Sequence, residues 1–180
     1  MQDPRPTNTR KLTYAAMFLA LALVLPFLTG QIPQIGQMLS PMHIPVLLCG
    51  FTVGWPWGLA VGFIAPLLRS LLFHMPALYP GAIAMAFELA AYGALSGLLY
   101  RALPKKVWSV YCSLLLSMLG GRIVWGVARY ILAGLAGSEF PMSAFLAGAV
   151  TNAAPGIILH IVLIPLLVLA MRRTNLILND

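Results

Sequence analysis

Residues 41–72 read PMHIPVLLCGFTVGWPWGLAVGFIAPLLRSLL, and Arg69 is the one charged side chain in the stretch. A short apolar run, 42–53, is followed by the corner GWPWG and a longer run, 57–74. Twelve helical residues rise only about 18 Å, against a hydrocarbon core about 30 Å thick. Such a segment either crosses with help from the loop before it or re-enters on the same side. Gly50, Gly54, Gly58 and Gly62 recur at every fourth position, the spacing that lets helix backbones approach closely. Pro56 falls within the series, so the pattern predicts two tightly joined helices rather than one continuous stripe.

The rest of the chain repeats the apolar theme. Of 180 residues, 61% are hydrophobic and 8% charged, and mean hydropathy is +0.91. A soluble domain is only about half apolar. The pattern predicts an all-α integral membrane protein of one domain, residues 1–180, with six transmembrane helices near 12–29, 42–53, 57–74, 80–102, 107–135 and 142–171. The N-terminal MQDPRPTNTRKL has no small-residue cleavage site, so the first apolar run is expected to be retained as a span. Cys49 and Cys112 lie in apolar segments and read as inert buried thiols rather than a disulfide.

Net charge is +7, yet the basic residues do not cluster as in a nucleic-acid binder. With the N-terminus inside and six crossings, the inner segments hold Arg5, Arg10, Lys11, Arg101, Lys105, Lys106, Arg172 and Arg173. The outer loops then hold no Lys or Arg, which is the positive-inside asymmetry. It favours a crossing second helix, a multi-pass protein of the cell membrane and two cytoplasmic termini.

Arg69, Glu88, Arg122 and Arg129 fall inside the predicted spans, where each needs a partner, a cavity or an interface. Counting about 1.5 Å per residue puts Arg122 roughly 22 Å up helix five, Glu88 roughly 12 Å below the outer face and Asn152 roughly 15 Å below it. The polar groups therefore gather in the outer half of the bilayer. Arg122, Trp125 and Arg129 stand at i, i+3 and i+7, on one helix face suited to stacking on a ring and clamping an anion. Glu88 and Tyr92 share a face of helix four, and helix six adds Asn152 before the break APG at 154–156. Two alternatives stay open: Arg129 snorkels to headgroups, and Arg69 forms a structural ion pair with Glu88. Three arginines against one glutamate leave positive charge for an anionic ligand to offset. His160 is placed near the inner side, away from this group, and His43 and His74 at outer helix ends, as loop residues. Neither the histidines nor the few carboxylates are spaced as a metal site, and no cofactor is implied.

No nucleophile elbow, paired carboxylates, phosphate-binding glycine loop or HExxH motif is present, so an enzyme is not expected. Without an ATP site the chain is read as a binding subunit. A self-sufficient secondary transporter of a small organic anion is the alternative, and a purely structural membrane protein a third.

The order of these features resembles the substrate-binding S component of an energy-coupling factor (ECF) transporter. The resemblance rests on six helices with a short second one, on AMFLA in helix one, and on the stretch quoted first. It implies a six-helix S-component-like bundle that captures a vitamin or related micronutrient from outside. Its partners would be a transmembrane coupling subunit and two ATPase subunits. It implies further that Ala16 and Ala20 match the AxxxA contact to the coupling subunit. The ligand positions implied are Gln34, Gln37, Met38 and His43, then Glu88 and Tyr92, Arg122, Trp125 and Arg129, and Asn152. Excess arginine favours a carboxylate-bearing nutrient such as pantothenate or a folate. A neutral ring compound, such as a queuosine precursor or pyridoxine, is the alternative.

Overall fold

The computed structural model describes residues 7–29, 38–138, 140–151 and 153–179, and they hold helices and connecting turns with no strand. Helix α1 is Asn8–Val24, opened by Thr7, whose hydroxyl accepts from the Arg10 amide at 3.4 Å. Pro26 lacks an N–H, so the chain tightens into a 3-10 turn over Leu25–Thr29. One stripe of α1, Ala15, Phe18 and Ala22, is buried, while Leu12, Met17, Leu21 and Val24 are exposed and suit a lipid-facing side.

Helix α2, His43–Val53, is buried at all eleven positions. An apolar surface all round requires that, and α1 together with the helices Trp55–Phe73, Ile83–Ala102 and Ala154–Arg173 surrounds it. Its length explains the sequence ambiguity: an 11-residue helix rises about 16 Å, and protein rather than lipid encloses it. Gly54, at φ +115°, then turns the chain into α3, Trp55–Phe73, which begins with Pro56 in its first turn. The series of small residues is thus split between two helices, as Pro56 required.

A wide kinked turn, Leu78–Ala82, leads into α4, Ile83–Ala102, and α5 is Val107–Leu135. The expected sixth span, 142–171, is not one helix. Short α6, Met142–Leu146, passes into a wide turn at Ala147–Thr151, and α7 is Ala154–Arg173. The missing N–H of Pro155 falls in the first turn of α7, where no intrahelical bond is lost, so the proline starts a helix rather than breaking one. Five segments are long and apolar enough to cross a membrane: Asn8–Leu28, Trp55–Phe73, Leu78–Ala102, Val107–Leu135 and Ala154–Arg173. With the shorter α2 they form the expected all-α membrane bundle.

Helix α4 is the spine, packed against α2, α3 and α5. The glycines permit this. A Cβ at Gly93 would overlap the Gly58 carbonyl, and one at Gly97 would come within 2.8 Å of the Gly50 oxygen. The small-residue series therefore serves contact inside the chain. Beyond α7 the tail folds back, which no sequence signal announced. The Leu178 amide donates to the Thr52 carbonyl at 2.6 Å, and Asn179 Nδ2 donates to Gly50 and Gly97 at 3.2 and 3.0 Å. Gly50 and Thr52 lie in the last turn of α2, where carbonyls lack intrahelical partners. Cys49 is buried and Cys112 half-buried, and both are free thiols.

Candidate functional site

Glu88 lies on α4 at 1% exposure, deep in the bundle. Its Oε1 is 2.8 Å from Arg122 Nη1 on α5 and 3.5 Å from His43 Nε2, the first residue of α2. One turn along α4 lies Tyr92, 1% exposed. Its ring lies 5.2 Å from the His43 ring, and Gly121 on α5 makes room for it, since a Cβ there would strike the Tyr92 ring. His160 on α7 stacks on His43 at 5.9 Å and 23°. Four helices thus bring one carboxylate, one guanidinium, a phenol and two imidazoles together.

Above Arg122 on the same face of α5 lies an aromatic layer. The guanidinium is 6.0 Å from the Trp125 ring. Trp125 stacks on Phe145 at 6.2 Å and meets Phe140 edge-on at 6.0 Å. Arg129 follows, over Phe140 at 5.4 Å, with its Nε buried. Gly126 and Gly148 let α6 and the turn after it fit here, because a Cβ at either would meet Phe145 or Trp125. The i, i+3, i+7 spacing therefore does set Arg122, Trp125 and Arg129 along one lined face. A recess of about 440 Å³, lined by Tyr130, Ile131, Gly134, Ser138, Phe140 and Pro141, opens beside this layer.

Of the residues singled out in the sequence, His43, Glu88, Tyr92 and Arg122 meet in the deep cluster, and Trp125 and Arg129 form the layer above. Met38 stands at the rim, 42% exposed, and its carbonyl would lie 2.5 Å from a Cβ at Gly156, so the chain at 38–39 crosses the start of α7 directly. Gln34, Gln37 and Asn152 lie outside the described residues. Ala16 and Ala20 are exposed on α1, away from its buried stripe.

Three placements differ from expectation. His160 is in the cluster, not remote from it. The depth count assumed continuous helix from 142, but α7 starts at Ala154, so His160 is only about 9 Å along it. Its spacing of four from Gly156 and eight from Asn152 was the available signal. His43 is not a loop residue but a buried helix start at 3% exposure; His74, by contrast, closes α3 in a left-handed conformation.

Arg69 does not pair with Glu88, whose ion-pair partner among the described residues is Arg122, with His43 Nε2 3.5 Å from the same oxygen. Instead Arg69 Nη1 donates to the Leu23 carbonyl at 2.5 Å, and its guanidinium lies 5.0 and 5.3 Å from the Phe27 and Phe73 rings. In the 3-10 turn the carbonyl of Leu23 would look to residue 26, which is proline and has no N–H. Arg69 fills that vacancy and ties α3 to the end of α1. Arg69→Met is accordingly expected to lower stability by about 1.5–3 kcal/mol, the worth of a charged hydrogen bond, as read by thermal unfolding in detergent. A melting point equal to the parent's would remove this structural role. The excess of positive charge at the cluster shrinks with these placements, because Arg69 is engaged elsewhere and Arg122 is matched by Glu88.

A family model described as the substrate-specific component of ECF transporters matches residues 10–168. No curated protein and no solved structure matches the chain.

Proposed function

The chain belongs to the substrate-specific components of ECF transporters, and from that premise we propose that it captures a small carboxylate-bearing nutrient outside the cell for ATP-driven uptake through its partner subunits. Family membership supplies the general role: a membrane subunit that binds substrate and works with transmembrane and ATPase subunits. The observation that carries the substrate reading is the buried Glu88–Arg122–His43–His160 cluster topped by Trp125 and Arg129. Ionised and polar groups at membrane depth are costly and are kept for function. Arg129, with a buried Nε lacking a hydrogen-bond partner, is the group we assign to the ligand's acid.

Isothermal titration of the purified protein against a vitamin panel tests this. Binding of acids such as pantothenate or a folate is expected; binding of neutral or cationic compounds alone would remove the carboxylate from the reading. A neutral ring compound is the second candidate, favoured by the existing match of Arg122 to Glu88. Uptake into vesicles holding this chain alone would instead establish a self-sufficient transporter.

We place both termini in the cytoplasm, on the charge asymmetry of the loops, and the contact with the transmembrane partner at Ala16 and Ala20. Both alanines are exposed on α1 at a spacing of four, which permits close helix approach. Replacing both with leucine should leave ligand titration within about twofold of the parent but abolish co-purification with the coupling subunit, since bulk blocks such an approach. Undiminished assembly would move the contact elsewhere.

A further inference from the structure

We infer that Asn179 is a long-range positioning residue: from the end of the bundle away from the site it clamps α2 to α4, and through those two helices it holds His43 against Glu88. The link to recognition rests on the reading that the chain captures a small molecule at that cluster; the clamp itself does not.

The segment after α7 is built to turn back. Asn175 takes the left-handed conformation, at φ +54°, and the amides of Asn175 and Leu176 donate to the carbonyls of Arg172 and Met171 at 3.3 and 2.9 Å. That pairing is a Schellman stop, and asparagine is among the few side chains that tolerate its left-handed position. The strap then runs back across the end of the bundle, where Ile177 packs on the core and Leu178 is buried. It is also fastened to the turn between α4 and α5. Arg172 Nη1 donates to the Lys105 carbonyl at 2.7 Å, and Lys105 Nζ donates to the Asn179 carbonyl at 3.5 Å.

The amide of Asn179 sits between two helices. An amide nitrogen carries two hydrogens. Nδ2 meets the Gly50 carbonyl of α2 at 3.2 Å and the Gly97 carbonyl of α4 at 3.0 Å, and the residue is 7% exposed. Both neighbours are acceptors, so only a double donor suits the place. The Leu178 amide takes the Thr52 carbonyl as well, so the strap occupies two carbonyls in the last turn of α2. The contact it secures is otherwise smooth. Where Gly50 meets Gly93, neither residue has a side chain to set a register. Among the described residues, the side chain that joins α2 and α4 directly by a hydrogen bond is Ser96, to the Leu47 carbonyl at a long 3.4 Å.

The two helices run side by side in the same direction. His43 and Glu88 lie 3.5 Å apart toward one end. Gly50 is about 10 Å further along α2, and Gly97 about 14 Å further along α4. Each helix is a continuous hydrogen-bonded rod, so an axial slip at Gly50 reappears at His43. Asn179 therefore sets, from the far end, a distance on which the recognition cluster depends.

Hydrogen–deuterium exchange of the purified protein in detergent, read by mass spectrometry, tests the clamp without any ligand. Asn179→Asp keeps the shape but replaces both donors with acceptors. It should speed exchange of α2 amides about 10- to 100-fold, at residues 46–49 as well as in the last turn, as loss of two buried hydrogen bonds implies. Asn179→Ala removes the donors without adding charge and carries the same expectation if the aspartate variant does not fold. Arg69→Met, which loosens a tie near the other end of α3, should leave α2 protected, so a general loss of stability is told apart from a lost clamp. An α2 protected throughout in the Asn179 variants overturns the inference. So does faster exchange confined to the last turn, which would make the strap a helix cap only. Titration with pantothenate, folate and pyridoxine then reads the far end: whichever binds the parent should bind Asn179→Asp about tenfold more weakly. Unchanged affinity with a loosened α2 overturns the link to recognition. Binding of none of the three, nor of any member of the vitamin panel, overturns capture itself, while the exchange result still decides the clamp.

Discussion

Arg122→Ala is expected to lower stability by about 3–5 kcal/mol, because it strands a buried carboxylate. Glu88 is 1% exposed, and Arg122 is the cation on its Oε1 at 2.8 Å. The cost belongs to the abandoned charge, not to any intrinsic merit of the pair. Removing both charges should therefore undo it: the double variant Glu88→Gln, Arg122→Met should melt close to the parent, since a buried ion pair replaced by neutral groups of similar volume is commonly tolerated. Ligand titration should behave differently and stay lost in the double variant. Thermal unfolding in detergent, followed by titration on the same samples, separates the two readouts. A double variant as unstable as Arg122→Ala would mean that the pair holds the bundle together. A double variant that binds normally would take the pair out of the site. The expected split describes an ion pair kept in an apolar interior for recognition rather than for folding.

Much of this arrangement was legible in the sequence, and the failures have physical causes. Helical periodicity alone aligned Arg122, Trp125 and Arg129, because α5 is one unbroken helix from Val107 to Leu135. The corner at GWPWG was legible because Pro56 fixes its own φ, while Gly54 accepts the positive φ that the turn requires. His160 was misplaced because depth was counted along a helix that proved to be two, with Pro155 as a start signal rather than an interruption. Arg69 was drawn toward Glu88 by charge alone, whereas its partner is a backbone carbonyl, which leaves no trace in a charge pattern. For the same reason the folded-back tail went unread: Asn179 binds helix carbonyls of Gly50 and Gly97, and no side-chain pattern marks a carbonyl as vacant. Sequence reading here located the groups that carry charge and period, and lost those whose partners are main chain.

Gly93→Ala should be the most damaging methyl that can be added to this chain's spine, at about 3 kcal/mol, toward the upper end of overpacking costs. The added carbon would overlap the Gly58 carbonyl and lie 2.8 Å from the Gly58 Cα. Neither obstacle is a side chain that can swing aside, so α3 and α4 must part. Gly134→Ala is the matched control on α5, with nothing within 4 Å of the new carbon. Alanine there should be neutral or stabilising by up to about 1 kcal/mol through helix propensity. The two variants thus share one chemical change and differ in sign, and thermal unfolding of both distinguishes close packing from propensity. Equal melting points for Gly93→Ala and the parent would show that the helices do not touch at that level. Separation would also reach the site. Glu88 is on the same helix as Gly93, little more than one turn away, and its contact with Arg122 is only 2.8 Å long. A helix pushed off α3 carries Glu88 with it, so Gly93→Ala should weaken ligand binding along with stability, while Gly134→Ala should leave the spacing of the bundle unaltered. The glycines of the opening stretch thereby act on recognition at a distance, through the position they give to α4.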